Sequence, residues 1–289
     1  MRLADKAALV TGASKGIGRA IAERLAADGA QVAVHYGRDE RAARETVRRI
    51  EENAGRAFAV QADLSTMDGI GALFTGLRTG LSGRPLDIVV NNAAAAPAGP
   101  IETDTPEQFD HLVAVNVKAP YFIIQRALPL LSDGGRVITI SSVATRMANP
   151  TQTSFALTKG AVETMSRTLA RALGGRGITV NTVAPGATRT DANEAIFTPE
   201  TAALAAGLTA LNRVGRADDV ADVVAFLASH DARWITGQTL DASGGLHLGP
   251  RELTGPAPAP DRPGSTVTPA DAARTPTGGR RADDHAARP

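Results

Sequence analysis

The chain has 289 residues, 43% hydrophobic and 21% charged, close to the averages of soluble globular proteins and enough for a sizeable core. Its formal net charge of +1 gives no electrostatic reason to expect nucleic acid or an anionic membrane as a partner. The absence of cysteine excludes disulfides, thiolate nucleophiles and cysteine-held metal, and the histidines (His35, His111, His230, His247, His285) show no ligand spacing, so no metal is expected.

In chain order, the apolar run "KAALV" (6–10) reads as a strand and ends in the Gly-rich "TGASKGIG" (11–18). An amphipathic helix, "RAIAERLAADG", follows and is closed by Gly29. Next come a β-branched strand (30–36), a charged helix from about Asp39 to Asn53, the strand "RAFAVQAD" and a helix through 66–80. "LDIVVNN" (86–92) is a strand, and one long helix is predicted from about Thr105 to Leu131. "GRVITISS" (135–142) is a strand, 154–174 a helix, "GITVNTVAPG" (177–186) a strand, 217–229 a helix and "GQTLDAS" the last strand. Strands alternating with helices of this length imply βαβ units. Runs such as "DIVV" and "VITI" are apolar on both faces, as buried parallel strands require. The expectation is a single α/β domain over 1–249, a doubly wound parallel sheet with helices on both faces. Residues 250–289 hold eight of the 17 prolines and almost no large aliphatic side chains, and this Pro/Ala/Gly-rich tail is expected to be disordered. No 18-residue apolar run or signal-peptide pattern occurs, so a cytoplasmic protein is expected.

The loop after the first strand sits where a dinucleotide needs it. Gly12, Gly16 and Gly18 allow a tight turn, close backbone approach and close helix packing, and the helix opening at Gly16, Ile17 and Gly18 offers unpaired N–H groups to phosphates. The second strand ends in "VHYGRDE", placing His35, Tyr36 and Arg38 ahead of the first acid, Asp39. With Ser14 and Lys15 in the loop, Arg38 favours a 2′-phosphate and hence NADP(H). If Arg38 only opens a solvated helix, NAD remains open.

The spacing TGxxxGIG resembles the short-chain dehydrogenase/reductase family, and the likeness extends over about residues 5–248. "NNAA" (91–94) is similar to the family's NNAG, "ISS" (140–142) to its serine strand and "PGATRT" (185–190) to its PGxxxT; "NRVGRADDVADVVAFLASHDARWITGQTLDASGG" resembles its C-terminal segment. The resemblance implies a Rossmann-type domain and an oxidoreductase acting on a small molecule. It places Asp63 and Leu64 at the adenine, Asn91 and Ala93 along the cofactor, and Pro185, Gly186, Thr188 and Thr190 near the carboxamide. In the family a tyrosine protonates the carbonyl oxygen, a lysine four residues on lowers its pKa and holds the ribose, a serine bonds the substrate oxygen and an asparagine anchors a relay water. Asn116, Ser142 and Lys159 match. Phe155 stands where the tyrosine belongs, four before Lys159 and thirteen after Ser142.

The other aromatics do not fill this gap. Tyr36 belongs to the cofactor corner, Tyr121 reads as core, and His111 has no evident line to the site. Losing a positioned acid costs about 10²–10⁴-fold in rate without abolishing hydride transfer. Four readings follow: a ketoreductase that draws its proton elsewhere, a non-redox cyclase or dehydratase, a silent NADP-binding protein, or a Tyr-to-Phe substitution introduced to trap a complex. The Ala- and Leu-rich segment 191–212 holds the family's lid position, and Met147, Phe155 and Phe197 suggest an apolar pocket for a ring-containing carbonyl or quinone. In related proteins the long helix and the Phe155 helix pack between subunits, which implies a homotetramer or homodimer.

Overall fold

A computed structural model describes residues 2–97 and 99–249; the tail 250–289 lies outside the described residues. Its seven main strands are β1 (Ala7–Val10), β2 (Gln31–Tyr36), β3 (Arg56–Gln61), β4 (Leu86–Asn91), β5 (Leu131–Ile140), β6 (Thr179–Pro185) and β7 (Thr239–Ala242). Every residue of β1, β4 and β6 is buried, as central strands of a parallel sheet covered on both faces require. The strands pair in parallel in the order β3-β2-β1-β4-β5-β6-β7. The winding reverses between β1 and β4, which opens a crevice at the carboxyl ends of those strands. The doubly wound sheet read from the sequence is the observed one.

Helices cover both faces. Ile21 and Leu25 of α1 (Gly16–Ala27) and Val224 and Leu227 of α8 (Ala217–Ala228) pack on Val10, Val34 and Ile138. On the other face Leu73 and Leu77 of α3 (Met67–Leu81) and Ile123 and Ile124 of α5 (Ala119–Ala127) pack on Leu9, Val89 and Val137. Each such side chain contributes about 1.5–3 kcal/mol by burial. Asp39 accepts the Ala42 N–H at the start of α2 (Glu40–Glu52), and Thr105 and Gln108 form a capping box at the start of α4 (Pro106–Val113). Helix α6 (Thr153–Leu173) follows β5, and α7 (Pro199–Leu208) lies in the 191–212 segment. That segment is framed by a short parallel pair, Thr188–Arg189 with Gly215–Arg216. Among the described residues no helix is long and apolar enough to cross a membrane.

The single helix expected from Thr105 to Leu131 is corrected. Helix α4 passes into a π turn over Ala114–Lys118, then into α5, which ends at Ala127, and β5 already begins at Leu131. Pro120 has no N–H for the carbonyl of Asn116 four residues back, so the α pattern cannot run through, and the Ala119 N–H bonds Ala114 instead. Pro129 disfavours helix at Leu128 and ends the element. Tyr121 is corrected too: it is 49% exposed, because Ala119, Pro120, Ile123, Ile124 and Ala127 form the inward face of α5.

Candidate active site

Between β1 and α1 the chain turns tightly through Gly12. Gly12 has φ +62°, and a Cβ there would lie 2.9 Å from the Ala93 Cα, so both conformation and space demand glycine. A Cβ on Gly18 would lie 2.2 Å from the Gly12 carbonyl oxygen. Helix α1 begins without a side-chain cap and without an acid in its first turn, which leaves its N–H groups and positive end for an anion. Thr11 Oγ1 accepts the N–H of Asn92 at 2.9 Å and of Ala93 at 3.0 Å, and Asn92 Nδ2 donates to the Thr11 and Gly12 carbonyls. Asn92, which the sequence reading passed over for Asn91, therefore ties the loop to the end of β4.

His35 supports the loop from below. Its Nδ1 accepts the Gly12 N–H at 3.0 Å, so the ring proton sits on Nε2, which lies 3.2 Å from the Ala62 carbonyl. Burial pushes its pKa down to about 4, which keeps the ring neutral.

A cavity of about 650 Å³ opens beside this loop. Gly12, Ser14, Lys15, His35, Arg38, Asp63, Leu64 and Ala93, all expected at a cofactor, line it. Lys15 and Arg38 have no ion-pair partner among the described residues, so both charges are free to meet an anion. The Ser65 hydroxyl and amide bond Asp63 at 2.7 and 2.9 Å and hold its carboxyl below the usual range. Gly16, Ile17 and Gly18 form the start of α1 and are not part of the cavity wall. Tyr36 is also outside the wall: alternation along β2 sends His35 to the cavity and the Tyr36 ring into the core on the opposite face. Asn91 is 3% exposed, and neither polar atom of its side chain has a partner among the described residues. His111 is corrected: it lines the cavity, because α4 lies beside Asp63. That approach is tertiary and leaves no local trace in the sequence.

Past Ala94 the wall leads to the remaining set. Asn116, in the π turn, is 2% exposed, and its Oδ1 accepts the Ala95 N–H at 2.8 Å. Its Nδ2 donates to Thr158 Oγ1 at 3.2 Å, and Thr158 in turn donates to the Phe155 carbonyl at 2.7 Å. The Asn116 side chain thus fixes α6 against the loop after β4, with one lone pair of Oδ1 uncommitted. Ser142 Oγ accepts the Ala144 N–H at 3.1 Å, which leaves its own proton free to donate. Lys159 is 4% exposed, and Nζ donates to the Ile140 carbonyl at 2.9 Å, one of three available donors. Burial pushes its pKa down to about 8. The Phe155 ring, one turn earlier, has its centroid 5.4 Å from Nζ, so an aromatic face meets the ammonium but carries no proton.

Pro185 ends β6, and the following segment arches back to the loop: Thr188 Oγ1 donates to the Gly186 carbonyl at 3.1 Å, and a Cβ on Gly16 would meet Thr190 at 3.4 Å. Phe197 packs its ring against the Arg189 guanidinium, 5.4 Å away. Met147, Phe155 and Phe197 lie outside the 650 Å³ cavity.

Over residues 12–247 the chain matches a family model described as enoyl-(acyl carrier protein) reductase. It is 40% identical over 256 residues to versicolorin reductase stcU of Emericella nidulans, covering 84% of this chain and 96% of that protein. Among solved structures it resembles the promiscuous reductase LugOII, which catalyses keto-reduction at C1 during lugdunomycin biosynthesis: 50% identity, TM-score 0.84, 86% of this chain and 100% of that one. The angucycline C-6 ketoreductase LanV, solved with bound NADP, is also 50% identical, with TM-score 0.82 over 86% and 98% of the two chains.

Proposed function

Because this chain belongs to the short-chain dehydrogenase/reductase family, we propose that it is an NADP-dependent ketoreductase acting on a ring-borne carbonyl or quinone, with no phenolic acid at position 155. The observation that carries this reading is the buried Lys159 ammonium, with two donors uncommitted, bonded to the Ile140 carbonyl two residues before Ser142, whose hydroxyl proton is free. The loop fits the cofactor: a capless helix start for the pyrophosphate, no room for a Cβ at Gly12 or Gly18, and Lys15 and Arg38 free for a 2′-phosphate. Bound NADPH supplies the hydride. Lys159 holds the ribose hydroxyls and sets a positive charge beside the reacting oxygen, and Ser142 donates its hydrogen bond to that oxygen. The alcohol's proton comes from water or from an acidic hydroxyl on the substrate. The ring preference is supported by the two ketoreductases at half identity and by the apolar residues of the 191–212 segment.

Phe155 itself favours a second reading, a non-redox enzyme or a silent NADP-binding protein on the same scaffold. A paired assay separates the readings. The chain and Phe155→Tyr are saturated with NADPH and offered quinones, diketones and cyclic ketones, with cofactor oxidation and product followed separately. Oxidation by the native chain, with a gain of about 10²-fold in the tyrosine variant, is the expected result. Binding of NADPH without oxidation by either form would sink the ketoreductase reading.

A further inference from the structure

We propose that Glu163 is a positioning residue for Ser142, and this rests on the ketoreductase reading of the same site. Ser142 lies beyond the end of β5, where the ladder to β6 stops, in a segment whose backbone bonds after Ser141 are local to its own turn. The Ser141 N–H reaches the Val183 carbonyl at 2.7 Å, and one 3₁₀ turn over Val143–Thr145 follows. The Ser142 carbonyl accepts the Thr145 N–H within that turn and lies 3.1 Å from the Thr145 hydroxyl, and Glu163 fastens the turn to α6. One carboxylate oxygen, Oε1, accepts the Ser141 hydroxyl at 2.6 Å and the Thr145 hydroxyl at 3.0 Å, so residues on either side of Ser142 hang from a single atom. Bonds from hydroxyls to an ionised oxygen are short and roughly twice as strong as neutral ones.

The placement of that atom matters as much as its strength. Phe155, Lys159 and Glu163 stand at successive turns of α6 on one face. Lys159 ties this helix to the Ile140 carbonyl, and Glu163 ties it to Ser141 and Thr145. Both ends of the segment bearing Ser142 are therefore referenced to the helix that carries the lysine, and the separation of the serine hydroxyl from the ammonium becomes a property of α6. A misplacement of about 1 Å at such a group costs about 10²-fold.

The test uses the NADPH-bound protein. Glu163→Ala is expected to lower kcat by about 10-fold or more with the KM for NADPH changed less than about twofold, and Glu163→Gln, which keeps an acceptor oxygen, to recover most of kcat. In the Ser142→Ala background the same Glu163→Ala change should cost less than about twofold, because a residue acting through Ser142 loses its effect once Ser142 is gone. Amide exchange over 143–147 should quicken about 10-fold in Glu163→Ala and stay at the native rate in Glu163→Gln. An unchanged kcat, an equal loss in the Ser142→Ala background, or unchanged exchange would each overturn the proposal. If the native chain reduces no carbonyl, the ketoreductase reading falls, and the exchange measurement alone decides whether Glu163 sets this turn.

Discussion

A buried ammonium with one carbonyl for company costs stability, and Lys159 shows what that cost is for. Its pKa is about 8 in the fold against 10.5 in the unfolded chain. Between those values the unfolded chain holds a proton that the folded one has released, so stability rises with pH through that window, and below it the charge costs about 3 kcal/mol. Lys159→Met keeps the apolar stem and removes the charge. The cofactor-free protein is expected to melt higher, by on the order of 5 °C, while kcat/KM for reduction falls at least about 10²-fold. A lower melting point in calorimetry would contradict the account of a strained ammonium. At this scale the spacing that sets Phe155 one turn before Lys159 was legible in the sequence, because it is covalent. The roles of Asn92 and His35 were hidden, since each depends on which loop lies within reach of its side chain.

Among the elements, α1 depends on the point where it meets the loop. The helix can start only if Gly18 lets the Gly12 carbonyl pass, with 2.2 Å to an added Cβ and 2.5 Å from that Cβ to Asn92 Nδ2. Gly18→Ala must shift backbone, so a loss of about 1–3 kcal/mol in denaturant unfolding is expected, with NADPH affinity falling further than stability does. Titrations showing native affinity would refute this use of the glycine. Most elements were readable in the sequence: apolar runs with no polar alternation mark β1 and β4, and Gly or Asp marks helix ends. The π turn was not, because a π and an α turn share residues and differ in one bond; Pro120 was the signal, and it reads equally as a kink. Tyr121 misled for a related reason, since an aromatic in mid-helix says nothing about which neighbours take the inward face.

Across the whole molecule, acid stability follows from His35. The unfolded ring takes a proton near pH 6.5 and the folded ring only near 4. Stability therefore falls as the pH drops through that interval, by up to about 3 kcal/mol, and is unaffected by this group above it. Chemical denaturation at pH 7 and pH 4.5 should show the loss, and a His35→Gln variant should show much less of it. The outer faces of α4, α5 and α6 carry exposed Phe109, Tyr121 and Leu157, which supports the expected self-association. Sedimentation should give a dimer or tetramer for the native chain and a smaller species for Leu157→Glu; a monomeric native chain would dismiss it. The His35 contact also bears on recombination. The first loop takes its shape from a ring borne by the second strand, so the two are one module although Gly12 and His35 lie 23 positions apart in the chain. A chimaera that joins residues 7–18 of one protein to 31–36 of another keeps its sheet, and keeps its loop only when position 35 brings an acceptor of the same reach.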